Sequence, residues 1–230
     1  KGFIGFSYGS VDRDYGLLGL VHGGNGEESQ AEEGTKITLR QDNFQLLSDL
    51  EFEGEFIQRL AAKLAYTDYQ HQEIEDGQLG TQFKNRMLET RFDIYHAEYS
   101  GWVGAWTLHY KTSDFEALGE EAFTPPSKAE SFALAWLEEK HFGDVLLQLG
   151  TRVERVELAA NAEFMFDDQE AVHAEGENER LGNISKQSYT PVSLSAGMVW
   201  EYQPGYNLGL SLGMSQRAPS AGELFSNGPH

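Results

Sequence analysis

No cysteine occurs anywhere in the chain, which removes disulfide frameworks and thiolate metal sites, so any metal has to be held by imidazole and carboxylate. Basic side chains are scarce. Seventeen Lys and Arg stand against 37 Asp and Glu, and the formal net charge of −20 excludes the basic face that nucleic acid requires. A cation is the better-matched partner. No stretch approaches the ~18 consecutive apolar residues of a membrane-crossing helix, and Lys1 opens directly in a strand-like pattern with no leader segment. A membrane β-strand is still open, because it needs only about 9 to 11 residues with one apolar face. Catalytic signatures are missing as well. There is no Gly-x-Ser-x-Gly, no phosphate loop and no His-Glu-x-x-His, so no enzyme and no catalytic residue is expected.

What is present is alternation. Val192, Leu194, Ala196, Met198, Trp200 and Tyr202 share one parity against Ser193, Ser195 and Gly197, and after Gln203-Pro204-Gly205 the pattern returns in Tyr206, Leu208, Leu210, Leu212 and Met214. This is a hairpin with one apolar face. The template recurs in Leu60 to Tyr66, Leu88 to Ile94, Trp102 to Tyr110, Phe132 to Trp136 and Val145 to Val153, and near the start in Ile4, Phe6 and Tyr8. Between Lys36 and Phe52 the alternation changes parity around Gln41 to Asn43, which predicts a bulge or register shift.

The connections alternate in length. Short turns are expected at Glu53 to Glu55, Ser100-Gly101, Phe142 to Asp144 and Gln203 to Gly205, and long polar loops at about 20–34, 69–84, 113–128 and 157–188. Short turns at one end and long loops at the other are the plan of an outer-membrane barrel. Trp102, Phe142, Trp200, Tyr202 and Tyr206 cluster at the short-turn end, as an aromatic girdle at one interface would. The expected fold class is all-β, an antiparallel up-and-down transmembrane β-barrel portion of about eight strands. A soluble all-β binding module is the lesser alternative.

Gly2 to Tyr8 with Tyr15-Gly16-Leu17, Leu39-Arg40, Thr67-Asp68-Tyr69-Gln70-His71-Gln72-Glu73 and Gln216-Arg217-Ala218-Pro219-Ser220-Ala221-Gly222-Glu223-Leu224-Phe225 together resemble the β-barrel of TonB-dependent outer-membrane receptors. The Arg-x-Pro-Ser-x-x-Glu-Leu run is the most specific piece. The resemblance covers nearly the whole chain and looks closest to the zinc-uptake branch. It implies a 22-stranded barrel around an N-terminal plug, of which residues 1–230 read as one consecutive barrel piece. It further implies location in the cell outer membrane, contact with its lipid, and coupling to the TonB system through the plug. Open strand edges would let such a piece self-associate.

Seven histidines supply the metal candidates, with His22, His71, His173 and His230 in predicted loops and His96, His109 and His141 in or beside strands. His71 and Glu73, two residues apart, share a face of an extended segment. By resemblance, Glu73 and His230 match ligand-bearing barrel positions of the zinc branch, the remaining ligands coming from the plug, so the metal candidates are Glu73, His230 and His71. No cofactor is expected, zinc entering only as transported ligand. The alternative function is a receptor of the same type for an iron chelate, heme or other organic ligand, although the acidic, arginine-poor loops fit it less well. The acidic stretch Asp167 to Glu179 lacks calcium-loop spacing and reads as a solvated loop. Arg217 and Glu223 read either as transport machinery contacting the plug or as a pair that joins lumen neighbours and braces the loop.

Overall fold

The computed structural model describes residues 1–16, 35–75, 77–119, 122, 124–161 and 184–226. Its strands are β1 (Gly2–Gly16), β2 (Lys36–Glu51), β3 (Ile57–Glu75), β4 (Gln78–His96), β5 (Trp102–Gly119), β6 (Ser127–Phe142), β7 (Val145–Asn161), β8 (Ile184–Tyr189), β9 (Val192–Gln203) and β10 (Tyr206–Met214), followed by one helix, α1 (Ala221–Phe225). They form a single antiparallel sheet in chain order from β1 to β7, then β9 and β10. The all-β up-and-down architecture is the expected one, with ten strands where the alternation gives about eight. β8 and β9 both pair with β7, separated only by Thr190 and Pro191, and Pro191 has no N–H to continue the ladder. β1 and β10 are the two edges, so the sheet is open.

Apolar residues stand on the outside. Register places Leu60, Ala62, Leu64 and Tyr66 of β3 beside Ile94, Phe92, Thr90 and Leu88 of β4, and the same face continues through Trp106, Leu108, Trp136 and Leu134 to Leu194 and Leu212. These side chains are exposed; Phe6 is 71 % and Leu212 68 % accessible. The buried apolar residues are instead mostly small, among them Ala117, Ala133 and Ala160. A continuous outward apolar surface over ten strands far exceeds the few hundred Å² that a water-soluble surface carries, and hydrocarbon is the solvent it suits.

The short turns lie where they were expected, between β2 and β3, β4 and β5, β6 and β7, and β9 and β10. In the second of them Ser100 (φ 52°) and Gly101 (φ 82°) both take the left-handed conformation that a two-residue hairpin turn needs. The other end differs from expectation. β3 and β4 run through the predicted loop at 69–84 to a turn near Gly77, β5 and β6 occupy most of 113–128, and β7 and β8 enter both ends of 157–188. The expected loop at 20–34 lies outside the described residues. Strands that project past the apolar band meet water on both faces, so their apolar alternation fades while backbone pairing continues.

The predicted bulge at Gln41 to Asn43 is absent, because β2 keeps an unbroken register with β1 and with β3 from Lys36 to Leu50. The parity change marks a change of surroundings. Phe44, Leu46 and Leu50 point outward within the apolar band, whereas past Asp42 the outward residues are Arg40, Thr38 and Lys36, and the apolar Ile37 and Leu39 point to the inner face. Tyr8 and Tyr110 stand at this boundary on the outer face and donate hydrogen bonds to Asp42 (2.7 Å) and Glu130 (3.0 Å) beyond it. Past it, outward charges pair with one another, Arg86 with Asp68 at 3.7 Å and Lys186 with Glu157 at 2.7 Å. At the short-turn end Trp102 meets Phe142 edge-on at 6.2 Å, and Tyr202 lies between Trp200 (5.9 Å) and Tyr206 (6.1 Å).

Leu134 sits in the middle of this band between Leu108 and Val153. Leu134→Arg is expected to cost about 2–4 kcal/mol of folding free energy in lipid vesicles, the penalty of a cation near the bilayer midplane. Thr38→Arg, on the same face beyond the band, is expected to change it by under about 0.5 kcal/mol; urea titration of both variants measures the difference.

Candidate functional site

The inner face is polar where the outer face is apolar, and its charges are matched within and across strands. Arg91 donates to Asp93 (2.9 Å), Thr107 donates to the same carboxylate (2.6 Å), and His109 joins Glu89 (2.9 Å) to Arg152 (3.3 Å). The His109 to Arg152 contact crosses β6, where Ala133 and Ala135 stand on the inner face. Small residues there let long side chains two strands apart meet.

The chain after β10 turns onto this inner face. Gln216 accepts from the Val192 N–H (3.0 Å), replacing a ladder partner just past Pro191, and Ser215 meets Ser193 at 3.4 Å. What the sequence presents as a Pro- and Gly-broken loop contains the single turn of α1. Ser220 caps it, its hydroxyl accepting from the Glu223 N–H (3.2 Å) while the Glu223 carboxylate accepts from the Ser220 N–H (2.7 Å), a capping box. Arg217 clamps the same carboxylate with two bonds of 2.7 and 2.6 Å, so the pair braces its own loop. The box and clamp aim Phe225 into a cluster with Leu158 and Ala160, flanked by Ala129 and Val156, and Thr124 meets Ser226 at 2.8 Å. Between this segment and the wall lies a cavity of about 610 Å³ bordered by Met87, Lys111, Phe115, Glu154 and Arg217.

The predicted ligand residues sit elsewhere. His71 and Glu73 share the inner face of β3 near its far end, with His71 Nε2 3.6 Å from Glu73 Oε1. His71 is held by Tyr69, whose hydroxyl lies 2.8 Å from Nδ1, and by stacking on Phe83 at 4.4 Å between ring centres. Neither residue borders the cavity under α1. His230 lies outside the described residues, as do His22, His173 and the acidic stretch 167–179. Among the described residues no three His, Asp or Glu side chains converge as a metal centre. Two groupings were not anticipated from sequence, the Glu89–His109–Arg152 relay and a His96–Glu138 contact of 2.7 Å on the outer face. In both, a small residue on the intervening strand opposite the paired side chains is the sequence signal.

An antiparallel sheet with an outward apolar band, an inward polar face and short turns at one end defines the wall of a membrane β-barrel. The family model for the TonB dependent receptor-like beta-barrel matches residues 2–230, and the chain belongs to that family. A comparison with curated proteins gave no match. The family comprises outer-membrane receptors that take up a ligand with the help of TonB; they are transporters, not enzymes.

Two bonds from Arg217, then the Ser220 N–H, hold the Glu223 carboxyl down at about 2, against an ordinary value of 4.5. A depressed carboxyl stabilises the fold fully above its ordinary value and loses that contribution as pH falls toward the folded value. Amide exchange at Leu224 and Ser226, corrected for intrinsic rate, is therefore expected to rise about tenfold as pH drops from about 4.5 to 2. In Glu223→Gln the exchange should be fast already at neutral pH and change little with acid. Ser220→Ala should loosen the same amides and cost about 1 kcal/mol.

Proposed function

We propose that the receptor to which this barrel belongs takes up zinc or a similar small metal species across the outer membrane, with His71 and Glu73 of β3 and His230 as ligands contributed by the barrel. The observation that carries the reading is the His71–Glu73 pair, an imidazole nitrogen and a carboxylate oxygen 3.6 Å apart on the inner face at the end away from the short turns. That is the donor chemistry zinc takes when cysteine is absent. The π-stack on Phe83 and the Tyr69 contact fix the ring, so little side-chain freedom is lost on coordination. A net charge of −20 draws cations toward the wall and repels anionic chelates. Two or three barrel donors leave an open coordination sphere, which the inner plug of such a receptor completes. Coupling to TonB then runs through the plug, and the barrel's part is capture.

Calorimetric titration of the full-length receptor with zinc tests this. Glu73→Ala, His71→Ala and His230→Ala are each expected to weaken zinc binding by about tenfold or more, as loss of one ligand from a tetrahedral site does. Unchanged affinity in all three removes these residues from the site, and tighter binding of a ferric chelate or heme than of zinc replaces the metal-ion reading with the organic-ligand one.

A further inference from the structure

One charged group lies where the outer-face pattern leaves no place for it. Glu138 is on the outward face of β6, two residues from Trp136, yet its side chain is only 8 % accessible. Register aligns it with Gly104 of β5, and Gly104 in turn lies beside the end of β4 at His96. A side chain on Gly104 would begin 2.7 Å from the Glu138 carboxyl carbon, so the glycine is what lets His96 and Glu138 join across the intervening strand. Both ring nitrogens of His96 face acceptors, Nδ1 the Ala97 carbonyl and Nε2 the Glu138 Oε1, each at 2.7 Å, which fits a doubly protonated ring. Trp136 Nε1 donates to the same Oε1 at 3.0 Å. One carboxylate oxygen thus accepts twice, and the other, Oε2, is buried and has no partner among the described residues.

Glu138 borders a cleft of about 660 Å³ between the first turn and β7, walled by Trp102, Trp106, Trp136, Phe56 and Leu149. It faces outward at the short-turn end, the level of the aromatic girdle, where lipid head groups lie. A carboxylate oxygen away from bulk water needs a donor, and indole faces attract a cation. Two residues further along β6, Lys140 stands on the same face, over Trp102 at 5.6 Å and Phe142 at 5.1 Å, and donates to the Ser100 carbonyl at 2.6 Å. A carboxylate acceptor already paired with His96 therefore lies next to an ammonium donor.

We propose that this cleft binds the head group of a zwitterionic phospholipid bearing a primary ammonium, with the ammonium donating to the Glu138 carboxylate among the tryptophans and the phosphate beside Lys140. The need for an N–H donor selects a primary ammonium over a quaternary one. The site belongs to the barrel's outer surface and stands whatever ligand the receptor transports.

The test is native mass spectrometry of the full-length receptor released from nanodiscs of equal phosphatidylethanolamine, phosphatidylcholine and phosphatidylglycerol. Retention of the ethanolamine lipid about tenfold above either other lipid is expected, falling to parity in Glu138→Gln. That variant keeps an acceptor toward His96 and Trp136 while placing an NH₂ donor where the ammonium would sit. Equal retention of the three lipids by the unaltered protein, preferred retention of the glycerol lipid, or an undiminished ethanolamine preference in Glu138→Gln overturns the proposal. Should the variant not fold, the unaltered protein is challenged with mono-, di- and trimethylated ethanolamine lipids. Retention falling stepwise as N–H donors are removed supports the site, and flat retention across the series overturns it.

Discussion

Everything in this sheet depends on pairing backbone groups where no water is available to replace a missing partner. A strand in hydrocarbon has to place every N–H and C=O on a neighbouring strand, and the ladders from β1 through β7 to β9 and β10 do so with few register shifts. Side chains are then free to obey one rule per face. Large apolar groups meet lipid, and small or polar groups line the interior. Where the ladder is interrupted, at Pro191, a side chain takes over, Gln216 accepting from Val192.

The interior follows from the same constraint. Once apolar bulk is committed outward, inner-face side chains have no hydrophobic core to enter, and charges there are tolerable only when matched. Arg91 with Asp93 along β4, and Glu89 with His109 and Arg152 across strands, supply that matching. Among the described residues a small apolar core forms around Phe225, Leu158 and Ala160, because the segment after β10 folds over the wall and shields part of it. Arg217 and Glu223 hold that segment from the solvent side, so a polar clamp and a phenylalanine anchor oppose each other across a single helical turn.

The two candidate binding places use opposite faces. His71 and Glu73 present nitrogen and oxygen to the interior. Glu138 lies buried on the outer face, where a glycine on the neighbouring strand makes room for it and tryptophans wall the cleft beside it. The outward group is the more unexpected of the two, since alternation alone would place a lipid-facing apolar residue there.

Alternation between Val192 and Met214 was enough to give strands, faces and a hairpin, because a period of two has only one geometric solution. The Arg217 to Phe225 run was enough to point to the receptor family, and the short turns were legible because Gly and paired polar residues mark tight reversals. Strand ends were not legible. Beyond the lipid band both faces meet water, so the pattern at 69–84 fades into that of a loop although β3 and β4 stay paired, and the parity change near Asp42 imitates a bulge. Contacts between side chains on separate strands were not legible either. His96 and Glu138 are 42 residues apart in the chain, and only register brings them to either side of Gly104. The sequence by itself determined the period, the charge and the family, which are properties of neighbouring residues along the chain. The tertiary structure decided which strands extend past the membrane and which distant side chains meet, because those depend on pairing across the sheet, where sequence distance carries no information.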